Sequence, residues 1–344
     1  MQPWKRAGAS AEPLVGLMEA QALEEPAAAL GLAVVSMDRA GVGLSDGMAR
    51  GMSVQSVADD AHLLARHLKM EHIVVIGTSG GGPYAAAFAA THADLVQALV
   101  LVAAVAPTNL ANLPLLGAMR GADFIQLGLV RLPPLGGLWG LHSLLSYMAK
   151  HHLNVLLEHA PKGMAAADGA VLREDPRVRD AFGKCLRHAY CRTSRGVARD
   201  VRVLGGRWGI DFSAIKCRVM IWQGADDLSV PVKHAEWWAG KLPQAKLNIL
   251  PGEGHVTVLL KHGGAILEQA LHWQPAQAGA GAGAGAAAGA AVGAEGKQQA
   301  QPARAAEAGQ RVEAAREEEA RPASPQAQQA QQPGQQQHVE QHPL

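Results

Sequence analysis

The feature that most constrains this chain is a buried-strand pattern that runs into a glycine- and serine-rich turn and then into a helix. Residues 73–76 are four consecutive β-branched apolar residues, which predicts a strand buried on both faces. Residues 84–90, Tyr-Ala-Ala-Ala-Phe-Ala-Ala, predict a helix, with Pro83 in its first turn, where a missing N–H has no partner to lose. Between strand and helix lies the turn Gly77-Thr-Ser-Gly-Gly81.

This turn matches the G-x-S-x-G pattern of a nucleophile elbow. A serine on a sharp strand-to-helix turn is strained, and the glycines at Gly77 and Gly81 are expected to let the backbones pass closely. The start of the helix presents backbone N–H groups, that of Gly80 first, to negative charge that develops beside the serine. The turn therefore predicts Ser79 as a nucleophile and Gly80 as an oxyanion donor.

Two rival glycine motifs fit less well. Gly80-x-Gly82-x-x-Ala85 also fits the dinucleotide pattern G-x-G-x-x-A, which requires an acidic residue at the end of the next strand. The next predicted strand, residues 98–105, ends in alanine and valine before Pro107. A P-loop is excluded because no Gly-Lys-Ser/Thr follows, and no helix follows directly on Gly41-x-Gly43, which predicts only a tight loop.

Strands and helices alternate on both sides of the elbow, which predicts an α/β fold with a mostly parallel sheet and crossover helices. The alternation stops after Pro107 and returns near residue 217. Helices are predicted at residues 13–30, 52–70, 84–90, 232–242 and 256–273, and strands at residues 32–37, 73–76, 98–105, 217–222 and 245–250.

Composition along the chain predicts four parts. Residues 1–106 and 213–273 form the two parts of the α/β core. Residues 107–212 contain leucine-rich, proline-interrupted helices at 110–116, 124–132 and 138–157 and a more polar helix at 176–192, which predicts a helical cap over the catalytic edge. Residues 274–344 are Gly-Ala and Gln-Pro tracts with four apolar residues besides alanine, too few to offset the ordering entropy, so a disordered tail is expected.

A serine nucleophile requires a base and an acid that orients the base, in loops that close later strands of the sheet. The strand at 217–222 runs into Gly224-Ala-Asp-Asp227, and the strand at 245–250 runs into Pro251-Gly-Glu-Gly-His255. These loops predict His255 as the base. The residue types alone do not choose between Asp226 and Asp227 as its orienting acid.

Bulk properties limit the possible partners. The formal net charge is +1, which argues against nucleic acid or an acidic membrane as a partner. The three cysteines form no C-x-x-C pair and the histidines are scattered, so neither a metal site nor a cofactor is expected. No secretory signal and no apolar stretch of membrane-spanning length are visible, which predicts a soluble, cytoplasmic protein acting on a small molecule. The sequence leaves the oligomeric state open.

Taken together, four motifs resemble the α/β-hydrolase fold superfamily, of the capped serine hydrolase type that includes esterases and lipases. They are Asp38-Arg-Ala-Gly-Val-Gly-Leu-Ser-Asp46, the elbow, Gly224-Ala-Asp-Asp227 with Val230-Pro231, and Gly254-His255. The resemblance implies an acid three residues after Gly224, which selects Asp227, and therefore a catalytic triad of Ser79, His255 and Asp227. It implies cleavage of an ester or related acyl bond, and the leucine-rich cap favours an apolar substrate.

One departure from the family pattern lies near the N-terminus. The family carries a strand that ends in a His-Gly loop, which supplies a second oxyanion N–H, and the pattern places that loop near residues 5–10. Those residues are Lys-Arg-Ala-Gly-Ala-Ser, and the family's first two or three strands have no counterpart. The sequence thus predicts an N-terminally shortened sheet. It also sustains an alternative, a non-catalytic or truncated α/β-hydrolase-like protein that acts as a binding module or has no activity.

Overall fold

The structure, a computed structural model, describes residues 17–47, 51–130 and 137–272. The predictions for residues 5–10 and for the tail at 274–344 lie outside these ranges. Within them the chain is an α/β fold built on a parallel sheet, as the alternating pattern predicts.

The sheet in the described residues contains four parallel strands in the spatial order β1-β2-β3-β4. Parallel neighbours require a crossover, and α helices supply those between β1 and β2 and between β3 and β4. The strands are β1 (Ile73–Thr78), β2 (Val96–Val102), β3 (Arg218–Gly224) and β4 (Lys246–Leu250).

Twelve α-helices occupy most of the remaining described residues. In chain order they are α1 (Leu17–Ala29), α2 (Val54–His67), α3 (Gly82–Thr91), α4 (Leu113–Ala118), α5 (Gly121–Leu129), α6 (Gly137–His151), α7 (Leu153–His159), α8 (Ala166–Glu174), α9 (Pro176–Ala189), α10 (Ser194–Leu204), α11 (Val232–Lys241) and α12 (Thr257–His272).

Helices cover both faces of the sheet, and the side chains of β2 show why. Alternate residues of a strand point to opposite faces. Ala98, Val100 and Val102 pack with α1 and α12, whereas Leu99 and Leu101 pack with α2, α3 and α11. All five residues are fully buried. Because both faces of β2 are covered, its sequence is a continuous apolar run rather than an alternating one.

The burial of β1 differs from the prediction. Residues 73–76 were expected to be buried on both faces, but in the structure all four are only partly buried. The reason is the position of β1 at the edge of the described sheet, where β2 is its single strand neighbour. A local apolar run predicts a strand, but it does not tell how many neighbours that strand has.

The strand predicted at residues 32–37 is also wrong. These residues follow α1, which ends as expected at Gly31 in the left-handed conformation, but they pair with no strand in the described part of the chain. Val34 and Val35 remain 38% and 45% exposed. A β-branched segment becomes a strand only where it pairs with a neighbouring strand, and none of the four described strands pairs with this segment.

Residues 110–204, between β2 and β3, are mostly helical where they are described, with short non-helical connections. We call this stretch the helical insertion. The single helix predicted over 138–157 is two helices, α6 and α7, that meet at His152. The predicted helix at 176–192 corresponds to α9, while α8 and α10 were not predicted. In the described residues no helix is both long and apolar enough to cross a membrane.

The unequal burial of the strands predicts unequal sensitivity to the same substitution. We expect Val100→Ala, at a fully buried position of β2, to lower the free energy of unfolding by about 2–4 kcal/mol through lost burial and a residual cavity. Val75→Ala in β1 is the matched control and should cost about half as much. Urea denaturation followed by circular dichroism measures both; equal losses would contradict the edge position of β1.

Candidate active site

The turn after β1 holds Ser79 in a backbone conformation that serines rarely adopt. Its φ is 52°, in the left-handed region, and such a conformation is stored strain that the surroundings must hold in place. The Ser79 carbonyl oxygen accepts a hydrogen bond of 3.0 Å from the Val105 N–H, from the segment after β2. A single 3-10 turn at Ser79–Gly81 then leads into α3, with Pro83 at its start.

Close packing of the turn requires glycine at one of the two predicted positions. A Cβ at Gly77 would lie 2.7 Å from the Ala85 Cβ, so the strand and α3 pass too closely for a side chain. Gly81, in contrast, faces open space. The second close approach is at Gly82, where a Cβ would lie 2.6 Å from the Ala104 Cβ. The predicted reason for the glycines therefore holds at Gly77 and is wrong at Gly81.

Asp227 lies in the loop after β3 and its side chain is fully buried. One carboxylate oxygen accepts a hydrogen bond of 2.8 Å from the Val230 N–H, and the other accepts one of 3.1 Å from the Gln223 side-chain amide. A buried carboxylate requires such donors because its desolvation is otherwise costly. Asp226, the alternative that the sequence left open, is exposed.

His255 follows β4 and meets Asp227. Its Nδ1 lies 2.8 Å from Asp227 Oδ2, and its ring is 20% exposed. Burial alone would lower the pKa of His255, but the charge and the hydrogen bond of Asp227, with smaller contributions from Asp123 and Asp168, raise it to about 9. The pair therefore fixes the ring through Nδ1 and favours its positive charge.

The elbow and the His255 loop lie side by side. Thr78, the last residue of β1, and His255 line the same cavity of about 30 Å³, together with Glu19 and Ala22 of α1. Neither Ser79 Oγ nor His255 Nε2 has a hydrogen-bond partner among the described residues. Catalytic hydrogen bonds of this kind are often formed only in the complex with a bound molecule.

A glycine lets the His255 loop reach the end of β3. A Cβ at Gly224 would collide with the carbonyl oxygens of Glu253 and Gly254. With glycine there, the Asp226 N–H donates a hydrogen bond of 3.0 Å to the Glu253 carbonyl oxygen, which connects the two loops. Contact between the acid loop and the histidine loop therefore depends on the first residue of the Gly224-Ala-Asp-Asp227 motif.

Comparison with known proteins identifies the family of the fold. The family model described as the alpha/beta hydrolase fold matches residues 15–261, which is more than half of the chain. The chain belongs to the α/β hydrolase fold family.

The individual proteins that match this chain share little sequence identity with it. An uncharacterized protein of Mycobacterium tuberculosis is 28% identical over 231 residues, or 64% of this chain and 62% of that protein. The matched region thus spans less than two thirds of the length of the curated relatives. A bromoperoxidase from Bacillus anthracis is 18% identical over 75% of this chain and 87% of its own, with a TM-score of 0.54. An esterase from Exiguobacterium antarcticum is 19% identical over 76% and 88%, with a TM-score of 0.53. These two likenesses show the fold.

Several charged residues near the site were not predicted from the sequence. Asp168 of α8 accepts the backbone N–H of His255 at 2.6 Å, and Asp123 of α5 is one of the charges that raise the pKa of His255. Asp200 of α10 accepts two hydrogen bonds from Arg39 and one from the Tyr84 hydroxyl in α3, just behind the elbow. All three aspartates belong to the helical insertion, and no local motif marks them.

The described residues do not gather three or more His, Cys, Asp or Glu side chains into a group that would hold a metal ion.

Gly80, whose N–H the sequence predicts as an oxyanion donor, directly follows Ser79 in the turn. Residues 5–10, where the family pattern places a second oxyanion donor, lie outside the described ranges.

The origin of the His255 pKa yields a prediction. Asp227→Asn removes the charge that opposes the effect of burial, so we expect the pKa of His255 to fall from about 9 to 6.5 or below. Asp226→Asn is the matched control, because its exposed carboxylate does not contact the ring, and it should leave the value unchanged. NMR titration of the His255 ring measures both; an unchanged pKa in Asp227→Asn would contradict this assignment.

Proposed function

We propose that this protein is a serine hydrolase that cleaves an ester or related acyl bond of a small, apolar substrate. Ser79 is the nucleophile, His255 the general base and Asp227 the residue that orients it. The observation that carries the proposal is the 2.8 Å contact between His255 Nδ1 and buried Asp227, in loops beside a serine with a φ of 52°.

In this proposal each group has one task. Ser79 Oγ attacks the carbonyl carbon while His255 Nε2 takes its proton, and the Gly80 N–H donates to the oxyanion. His255 then returns the proton to the leaving alcohol, which departs and leaves an acyl group on Ser79. Water attacks this acyl-enzyme, giving a proton to His255, which passes it back to Ser79 Oγ as the acid leaves. Asp227 stays ionised throughout and holds the imidazole.

Apolar side chains beside the site support an apolar substrate. Leu228, directly after Asp227, is 42% exposed, and Phe124 and Ile125 of α5 are 44% and 53% exposed. The start of α5 adjoins the Asp227 loop, because the Arg120 N–H donates 2.9 Å to the Leu228 carbonyl oxygen. In this proposal these residues form an apolar rim near the Asp227 loop, and the helical insertion is the cap.

The names of solved structures with the same fold support this reaction class without fixing the substrate. They include a thermophilic esterase from Thermogutta terrifontis, 19% identical with a TM-score of 0.51, and an enol-lactonase from Burkholderia xenovorans, 18% identical with a TM-score of 0.51. Esters and lactones share the acyl–oxygen bond that the proposed steps cleave. Thioesters and carbon–carbon bonds are other targets of the same set of residues.

A second candidate function is a non-catalytic binding module. It is favoured by one observation, the position of β1 at the edge of the described sheet, because the strand that carries Ser79 is then less firmly held than a central strand. The experiment that follows separates the two candidates.

We expect a fluorophosphonate probe to label the full chain at Ser79, with fluoride leaving as the Oγ–phosphorus bond forms. Ser79→Ala and His255→Ala should abolish labelling, whereas Ser213→Ala and His272→Ala, both outside the site, should label like the unchanged protein. Because only the neutral imidazole accepts the proton, the labelling rate should rise with pH up to about 9. A folded but unlabelled chain would favour the binding module.

Substitution of the adjacent residues Asp227 and Asp226 allows a matched comparison of kcat. With a substrate such as p-nitrophenyl butyrate, we expect Asp227→Asn to lower kcat by about 10⁴-fold, the scale seen when a triad acid is neutralised. Asp226→Asn, at an exposed position, should stay within about twofold of the unchanged protein, as surface substitutions usually do. Equal losses in the two variants would exclude Asp227 as the specific partner of His255.

A further inference from the structure

The carboxylate of Asp168 binds the backbone of the His255 loop from outside the core. Asp168 lies in the first turn of α8 and is 2% exposed. Its Oδ2 accepts 2.6 Å from the His255 N–H. Its Oδ1 accepts 3.0 Å from the Val256 N–H, 2.9 Å from the Thr257 N–H and 3.1 Å from the Thr257 hydroxyl. One carboxylate thus receives four hydrogen bonds from three consecutive residues.

The loop is built to receive this carboxylate. A Cβ at Gly254 would collide with all three carboxyl atoms of Asp168, so only glycine leaves room for it. The Gly254 N–H donates 2.8 Å to the Thr257 hydroxyl, which in turn donates to Asp168. Thr257 is fully buried. These contacts form one connected network around the residue that carries the imidazole.

Backbone N–H groups, rather than a bonded cation, are the direct partners of the Asp168 carboxylate. Within the described ranges no lysine, arginine or histidine side chain forms an ion pair with it. Its backbone donors are instead the N–H groups of His255, Val256 and Thr257, at the entry to α12, where the helix dipole favours a negative charge. A cap of this kind normally comes from the residue that precedes a helix. Here it comes from α8, 87 residues earlier in the chain.

The position of the imidazole needs this second anchor. Asp227 holds the ring at one atom, Nδ1, and a single hydrogen bond allows the ring to pivot if the backbone shifts. The preceding loop contains Gly252, with a φ of 76°, and Gly254, so its own sequence does little to restrain it. Asp168 fixes the backbone where the His255 side chain leaves it.

We propose that Asp168 is a positioning residue, which holds the backbone of His255 so that Nε2 faces Ser79 and thereby makes the reactivity of the site depend on the helical insertion. The inference rests on the proposed function, because it assigns His255 as the base. A misplacement of a catalytic group by about 1 Å is enough to cost about 100-fold in rate.

Asp168→Asn separates this role from helix capping. The amide oxygen can take the place of Oδ1 and keep the bonds from Val256 and Thr257. The amide NH₂ group then faces the His255 N–H, two donors opposite each other, and that bond is lost. We expect the rate of fluorophosphonate labelling to fall 10- to 100-fold in a chain that remains folded.

Asp175→Asn is the matched control. Asp175 also caps a helix of the insertion, α9, by accepting the Arg177 N–H at 2.8 Å, but it does not contact the His255 loop. It should be labelled at the rate of the unchanged protein.

Gly254→Ala tests the same contact independently. It keeps the Asp168 charge but displaces the carboxylate, so it should slow labelling as Asp168→Asn does. Gly240→Ala, which faces open space in α11, is its control.

A second readout does not depend on activity. The His255 Nδ1 proton, bonded to Asp227, gives a downfield NMR resonance, and we expect it to broaden or exchange faster in Asp168→Asn but not in Asp175→Asn. A purely structural cap would change neither this resonance nor the labelling rate below the unfolding temperature. If the unchanged chain labels and Asp168→Asn labels equally fast, the positioning role is overturned while the proposed function stands. If the unchanged chain does not label, the proposed function fails, and an unaltered resonance in Asp168→Asn would overturn the anchor as well.

Discussion

The parallel pairing of the strands is the constraint on which the candidate site depends. Thr78 pairs with Val102 and Val102 with Trp222, so β1, β2 and β3 end at nearly the same level. Gly224 at the end of β3 pairs with Leu250 at the end of β4. Because all four strands point the same way, the turns that carry Ser79, Asp227 and His255 open at one edge of the sheet. The apolar runs on both faces of β2 hold this arrangement together.

The parts of the site that the sequence predicts are those written in short local patterns. The glycines and Ser79 lie within five residues between a strand and a helix, and the backbone they produce has the expected strained serine. Asp227 and His255 each follow a strand directly, so the alternation of elements places them at the right edge. The residue types alone do not choose between Asp226 and Asp227. The family resemblance selects Asp227, and in the fold Asp227 is the buried one of the two.

The parts that were missed depend on contacts between distant residues. The edge position of β1 in the described sheet, and the failure of residues 32–37 to join that sheet, follow from which strands are neighbours. A local run of β-branched residues carries no such information. Asp168 is an aspartate in the first turn of a helix, a common place for one. Nothing in the neighbouring sequence shows that its partners are the N–H groups of residues 255–257, just before and at the start of α12.

Two buried aspartates of the helical insertion, Asp168 and Asp200, hold it against the core, and a third, Asp227, is buried in the core itself. Asp227, Asp168 and Asp200 are 3%, 2% and 5% exposed, and a buried carboxylate is costly unless donors surround it. Asp200 meets this need with Arg39, at 2.8 and 2.6 Å, and with the Tyr84 hydroxyl, at 2.5 Å. The bonds are directional, so each carboxylate is satisfied in only one placement of its helix. Apolar packing alone would allow the insertion to slide, whereas Asp168 and Asp200 fix it at two points, one beside His255 and one behind the Ser79 turn. The same charges that orient the insertion therefore also hold the two sides of the candidate site.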